Sequence, residues 1–160
     1  MQLEGVDLRG KEVLDVGCGT GALSFIALEK GAASVTCGDI SSQMLRVAQE
    51  KAAAAGYGAD RIRFHELDAE SLLFPPGRFD VAMTGMALGV LPDQQAAVSE
   101  LARVTRPGGL VCVGAHGPER YWEAVDASFR VITKRRASAT GSSSGLAPTR
   151  RSRRCCCGRG

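Results

Sequence analysis

The stretch Val13 to Leu23, VLDVGCGTGAL, decides the fold: an apolar run carries Asp15 near its end and opens into three glycines, Gly17, Gly19 and Gly21. Glycine has no Cβ, so such a turn can adopt positive φ and let a ligand rest against the main chain. A strand, a bare turn and a helix make the opening unit of a nucleotide-binding sheet, and GCGTGA satisfies the G-x-G-x-x-G/A form through Gly17, Gly19 and Ala22. That form alone does not choose the ligand. Asp15 narrows the choice, because a carboxylate beside a pyrophosphate is repelled while one beside an ammonium group is attracted.

Outward from this stretch, short β-rich apolar runs alternate with longer helical patterns up to about Thr133. Strands are predicted at Glu12 to Val16, Ser34 to Cys37, Ile62 to His65, Phe79 to Met83 and Leu110 to Val113. Helices are predicted over Ala22 to Glu29, Ser42 to Ala55, Gln94 to Val104 and Glu119 to Ile132. Ser41 suits the N-cap of the second helix and Gly56 its stop. Right-handed crossovers then place helices on both faces of a mostly parallel sheet, a doubly wound α/β fold.

At 160 residues the chain has the length of one domain. Its 44% hydrophobic and 23% charged residues suit a soluble protein, and 20 glycines imply many tight turns. No apolar run reaches the roughly 20 residues of a membrane span, and MQLEGVDLRG lacks the pattern of a signal peptide. The expectation is a cytoplasmic protein without stable membrane insertion. The net charge of +3 hides a division: residues 134–160 hold eight basic residues and no acidic one, which leaves twelve basic against seventeen acidic residues, a net −5, in the rest. An acidic domain gives no electrostatic footing for nucleic acid, so none is expected as a partner. Cys18, Cys37 and Cys112 are scattered and Cys155, Cys156 and Cys157 adjacent, neither set having the spacing of a zinc site or a disulfide framework, so no metal is expected. Residues 1–133 form the expected core. Residues 134–160, rich in Ser, Gly, Arg and Cys, are expected to be disordered; RSRRCCCGRG also admits a tether to anionic lipid, the weaker reading.

VLDVGCGTG closely resembles motif I of the class I S-adenosylmethionine-dependent methyltransferases, whose loop embraces a cofactor with an ammonium and no phosphate. The resemblance implies that Gly17, Gly19 and Gly21 admit the cofactor closely and that Asp15 orients its methionine moiety. Asp39, in TCGDISSQML, matches the acidic residue that grips both ribose hydroxyls. Asp68 and Ala69, in FHELDAESLLF, match the pair that meets the adenine amino group and ring, and Met44 borders the adenosine or packs in the core with Leu45. RFDVAMTGMALGVLPD and LARVTRPGGLVCVG resemble the fourth strand with its loop and the approach to the fifth. The match runs in order from about Gly10 to Gly114, and the looser likeness is to the methyltransferases of ubiquinone and menaquinone biosynthesis. It implies a Rossmann-like sheet of about five strands in the order 3-2-1-4-5, S-adenosylmethionine as cofactor and methyl transfer by in-line displacement.

The acceptor side then falls at the carboxyl ends of the fourth and fifth strands, at Thr84, Met86 and Tyr121, with Trp122 beside it and His116 as the candidate general base. MTGMALG is not the Asn/Asp-Pro-Pro-Tyr/Phe sequence of enzymes that methylate planar amino groups, and no cysteine stands there as a nucleophile. A small-molecule or lipid-like acceptor remains. Two departures from the family pattern stand out: only about ten residues precede Lys11, and no sixth or seventh strand is legible, as in a core truncated at both ends. Two other functions share the turn. A nicotinamide-dependent oxidoreductase would want an apolar residue at position 15, and a cofactor-binding or partner-binding remnant would bind without turnover.

Overall fold

The computed structural model describes residue 3, residues 5–114 and the backbone of Arg130–Val131. Six strands form one sheet: β1 (Glu12–Val16), β2 (Ser34–Asp39), β3 (Ile62–Glu66), β4 (Phe79–Thr84), β5 (Thr105–Val113) and β6 (Arg130–Val131). Three helices, α1 (Ala22–Glu29), α2 (Ser42–Ala54) and α3 (Gln94–Val104), and a 3₁₀ turn at Ala87–Val90 connect them. The order is β3-β2-β1-β4-β5-β6 and every pairing is parallel. The expected 3-2-1-4-5 order is the observed one.

Strand residues alternate between two cores, as period-2 geometry requires. Val13, Val35, Cys37, Val81, Met83 and Cys112 face one way, against Ala27 and Leu28 of α1 and Leu45 and Ala52 of α2. Leu14, Val16, Ala82, Val111 and Val113 face the other, against Ala97, Val98, Leu101 and Val104 of α3. Leu3 and Leu8, both without exposed surface, close the first core from the amino-terminal segment. Ser41 caps α2 by accepting from the Met44 N–H at 3.3 Å, and Asp93 caps α3 through the Ala96 N–H at 2.9 Å.

Three expectations change. The fifth strand starts at Thr105, not Leu110: a register shift between Phe79 and Val81 lets β5 carry Arg106-Pro107-Gly108-Gly109, with Gly108 at φ +76°. The predicted helix over Glu119 to Ile132 does not include Arg130 and Val131, which form a strand. The fifth strand's outer edge is therefore not bare: β6 pairs with it in parallel, Leu110 opposite Arg130 and Val111 opposite Val131, where no sixth strand was legible. Phe129 to Thr133 reads FRVIT, a β-branched and aromatic run that suits a strand better than a helix end. The rest of that predicted helix and residues 134–160 lie outside the described residues.

Candidate functional site

The carboxyl ends of β1 and β2 lie side by side, Val16 opposite Gly38, and the turn after β1 is sewn to β2. The N–H groups of Gly17 and Cys18 both donate to the Gly38 carbonyl, at 2.8 and 3.0 Å. Gly17, Gly19 and Gly21 all have positive φ, at +68°, +55° and +85°. Their surroundings differ. A Cβ on Gly17 would overlap the Ala87 methyl, and one on Gly21 would come within 2.9 Å of the Phe25 ring, whereas one on Gly19 would meet nothing within 4 Å. Gly17 and Gly21 are thus bare so that the protein can pack, and Gly19 opens onto free space.

Asp39 ends β2 beside that space. Its Oδ2 accepts from the Gly19 N–H at 2.7 Å and its Oδ1 from the Ser41 N–H at 2.9 Å. Each oxygen keeps a further lone pair, so the carboxylate can still accept from two donors on a ligand. Because Ser41 caps α2, Asp39 is not needed for the cap.

Asp15 is 1% exposed. The Ser24 hydroxyl donates to its Oδ2 at 2.5 Å, the Cys37 thiol donates to Ser24 Oγ at 3.1 Å, and Oδ1 has no partner. Burial pushes the Asp15 carboxyl up to about 7; the Ser24 bond opposes the rise and the Asp39 charge adds to it. Cys18, beside Cys37, is held above the ordinary thiol value by the hydrogen bond between them and by burial, and burial pushes Cys112 up to about 11. Both stay protonated at neutral pH and are poor nucleophiles.

Asp68 follows β3. It is exposed and its Oδ1 accepts from the Glu70 N–H at 2.9 Å, while Ala69 is buried at 8% exposure. Met44 and Leu45 separate: Leu45 lies in the first core and Met44 is 46% exposed. Ile40, directly after Asp39, is 73% exposed, and this apolar side chain was not singled out in the sequence. Its position next to the acidic residue was the available signal.

On the acceptor side, Thr84 ends β4 with 3% exposure and an unpartnered Oγ1, so it lies under the surface, while Met86 is half-exposed. His116, Tyr121 and Trp122 lie outside the described residues. Ser24 and Cys37 were also missed as site residues, since neither stands in a recognisable motif. Among the described residues no cluster of His, Cys, Asp and Glu could hold a metal ion, and no helix is long and apolar enough to cross a membrane.

The acceptors and spaces fit S-adenosylmethionine: a carboxylate with spare acceptor capacity for a diol, an open glycine turn, and a buried carboxylate oxygen without a partner. Comparison with known proteins agrees. Residues 13–109 match the family described as the methyltransferase domain. Nocamycin O-methyltransferase of Saccharothrix syringae is 39% identical over 119 residues, 72% of this chain and 41% of that protein. The ubiquinone/menaquinone biosynthesis C-methyltransferase of Hahella chejuensis is 38% identical over 106 residues, 65% and 42% respectively. Among solved structures, an S-adenosylmethionine-dependent methyltransferase from Mesorhizobium loti has a TM-score of 0.59 at 28% identity, covering 67% of this chain and 47% of that one. The cyclase SpnF has a TM-score of 0.62 at 32% identity, covering 66% and 38%. The chain spans about two fifths of the length of the curated relatives it matches. With residues 13–109 matching the methyltransferase domain, relatives 38–39% identical and the 3-2-1-4-5 strand order, the chain belongs to the class I S-adenosylmethionine-dependent methyltransferases.

Proposed function

We propose that this chain forms the cofactor-binding part of an enzyme that transfers a methyl group from S-adenosylmethionine to a small-molecule or lipid-like acceptor. The observation that carries this reading is Asp39, fixed by the Gly19 and Ser41 N–H groups beside an open turn with acceptor capacity left on both oxygens. In this reading Asp39 takes the two ribose hydroxyls, Gly19 lets the cofactor lie against the main chain, and Asp15 serves the methionine ammonium. Asp68, Ala69, Met44 and Ile40 surround the adenine end. Relatives named for O- and C-methylation support an acceptor of the same small-molecule class.

The cofactor, when bound, supplies a methyl carbon already activated by a positively charged sulfur. What remains for the protein is to align the acceptor and exclude water. Met86 offers an apolar wall after β4, and the buried Thr84 hydroxyl at the end of that strand is an unsatisfied polar group. His116 is the proposed proton acceptor and Tyr121 a proposed wall residue, both on the strength of their place in the sequence. The test is calorimetric titration with S-adenosylmethionine, S-adenosylhomocysteine and NAD in parallel. The first two should bind and Asp39→Ala should abolish both; binding of NAD alone would overturn the proposal.

A further inference from the structure

The connection from β3 to β4, residues 67–78, carries Asp68 and Ala69, and apart from one isolated bridge between Asp68 and Ser71 it has no regular structure of its own. A segment of that kind keeps one conformation only if something outside it compensates the backbone entropy. Here α3 does so. In its last turn Arg103 spreads its guanidinium over four hydrogen bonds: Nη1 donates to the Phe74 carbonyl at 2.8 Å, Nη2 to the Leu72 carbonyl at 2.7 Å, and Nε and Nη2 to Glu100 at 2.6 and 2.7 Å. Glu100 in turn accepts from the Leu72 N–H at 2.7 Å, so both polar groups of the Leu72 backbone are taken by one ion pair.

Further bonds tie the same segment down. The Asp93 N–H, at the N-cap of α3, donates to Glu70 Oε1 at 2.8 Å, and the Gly77 N–H donates to the Arg103 carbonyl at 2.9 Å. Ala69 and Leu72 pack in the same core as Leu101 and Val104 of α3. Glu70, two residues from Asp68, is therefore held at the start of the helix and Leu72 to Phe74 at its end. The planar fork of arginine reaches two carbonyls and a carboxylate at once, which the compact ammonium of lysine does not.

We infer that Arg103 and Glu100 are positioning residues for cofactor recognition: they fix residues 72–74 and thereby hold Asp68 and Ala69 where the adenine is read. The inference rests on the proposed cofactor site and adds a remote control of its base selectivity. The pair touches no ligand; it acts through the backbone it holds.

The experiment compares S-adenosylhomocysteine with its inosine analogue, in which a 6-oxo group replaces the 6-amino donor, by titration calorimetry with thermal melting alongside. One hydrogen bond to a charged acceptor corresponds to roughly tenfold or more in affinity. The wild-type chain should prefer the adenine ligand by about that factor, and Asp68→Ala, which leaves no acceptor, should bring the ratio near unity. Arg103→Met should do the same without touching the ligand, and Arg103→Lys, which keeps the charge and serves as the safer variant for folding, should fall between. Should both Arg103 variants weaken the two ligands equally and keep the wild-type ratio, Arg103 is merely structural and the inference fails. Should the wild-type chain bind neither ligand, or Asp68→Ala keep the wild-type preference, the fault lies instead in the cofactor reading or in the role of Asp68.

Discussion

Asp15 shows how a single residue couples fold to ligand. Its carboxyl, 1% exposed and raised by burial to about 7, is mostly neutral in the free protein at pH 6. The folded value lies above the ordinary value of 3.8, so the folded state binds the extra proton between about pH 4 and 7. The stability tied to that proton is present at acid pH and is lost as pH rises through 7. An ammonium partner inverts the preference because it favours the ionised form. Affinity for S-adenosylhomocysteine should therefore rise from pH 6 to pH 8 and then level, with proton release measurable by calorimetry in buffers of different ionisation enthalpy. Asp15→Asn should flatten that profile and weaken binding while raising the melting temperature at pH 8. A profile equally steep in Asp15→Asn would assign the titration to another group. The glycines allow a second separation. Gly19→Ala meets no protein atom and costs the fold only the left-handed strain, about 1–2 kcal/mol, yet its methyl enters the proposed ligand space and should lower affinity at least tenfold. Gly17→Ala overlaps Ala87 and should melt well below Gly19→Ala. Asp15, the glycines and Asp39 were legible because strand ends and φ demands leave residue-type signatures. Ser24 and Cys37 were not, because their bonds to Asp15 exist only after α1 packs on the β1–β2 register.

Elements were legible where their periodicity was uninterrupted. Glu12–Val16, Ala22–Glu29 and Gln94–Val104 have the expected bounds, and β2, β3 and β4 extend by a residue or two toward the carboxyl end, where pairing continues past the apolar run. β5 was read short because Pro107, Gly108 and Gly109 signal a turn locally, and only the neighbouring β4 supplies the shifted register that absorbs them. The 3₁₀ turn at Ala87–Val90 is too short to show a period. What anchors the start of β1 and β4 was also hidden. Asp80, 9% exposed, accepts from the Glu12 N–H at 2.7 Å and pairs with Arg106 of β5, while Arg78 grips Glu12 through two bonds of 2.7 and 3.0 Å. One carboxylate thus joins three adjacent strands at their amino ends. Asp80→Ala orphans the Glu12 N–H and should cost about 1–3 kcal/mol, read as a lower urea midpoint at unchanged m. Asp80→Asn, able to accept from the same N–H, should lose less. Equal losses would locate the effect in the charge pair with Arg106 instead.

At the scale of the whole chain, the two ends of the sheet do different work. Charged side chains strap the amino end, while the carboxyl end opens onto the glycine turn, Asp39 and the exposed Ile40, Met44 and Met86. Every described candidate for cofactor contact lies between Asp15 and Ala69, and the family match closes at residue 109. On the proposed division at Thr133, residues 134–160, with eight cations, act on that site only through a long-range field opposed to the −5 of the remainder. S-adenosylmethionine carries a net positive charge, since sulfonium and ammonium outweigh its carboxylate, and S-adenosylhomocysteine is neutral overall. Such a field is screened beyond roughly 8 Å at physiological salt and reaches further in dilute salt. A chain ending at Thr133 should therefore bind S-adenosylhomocysteine within about twofold of the full chain at any salt, because a neutral ligand is insensitive to a screened distant charge. It should bind S-adenosylmethionine more tightly at low salt, with the difference vanishing near 0.15 M. Parallel titrations of both chains at two salt concentrations decide the matter. A tenfold loss for the neutral ligand in the shortened chain would mean that residues 134–160 belong to the folded unit and that the division at Thr133 is wrong.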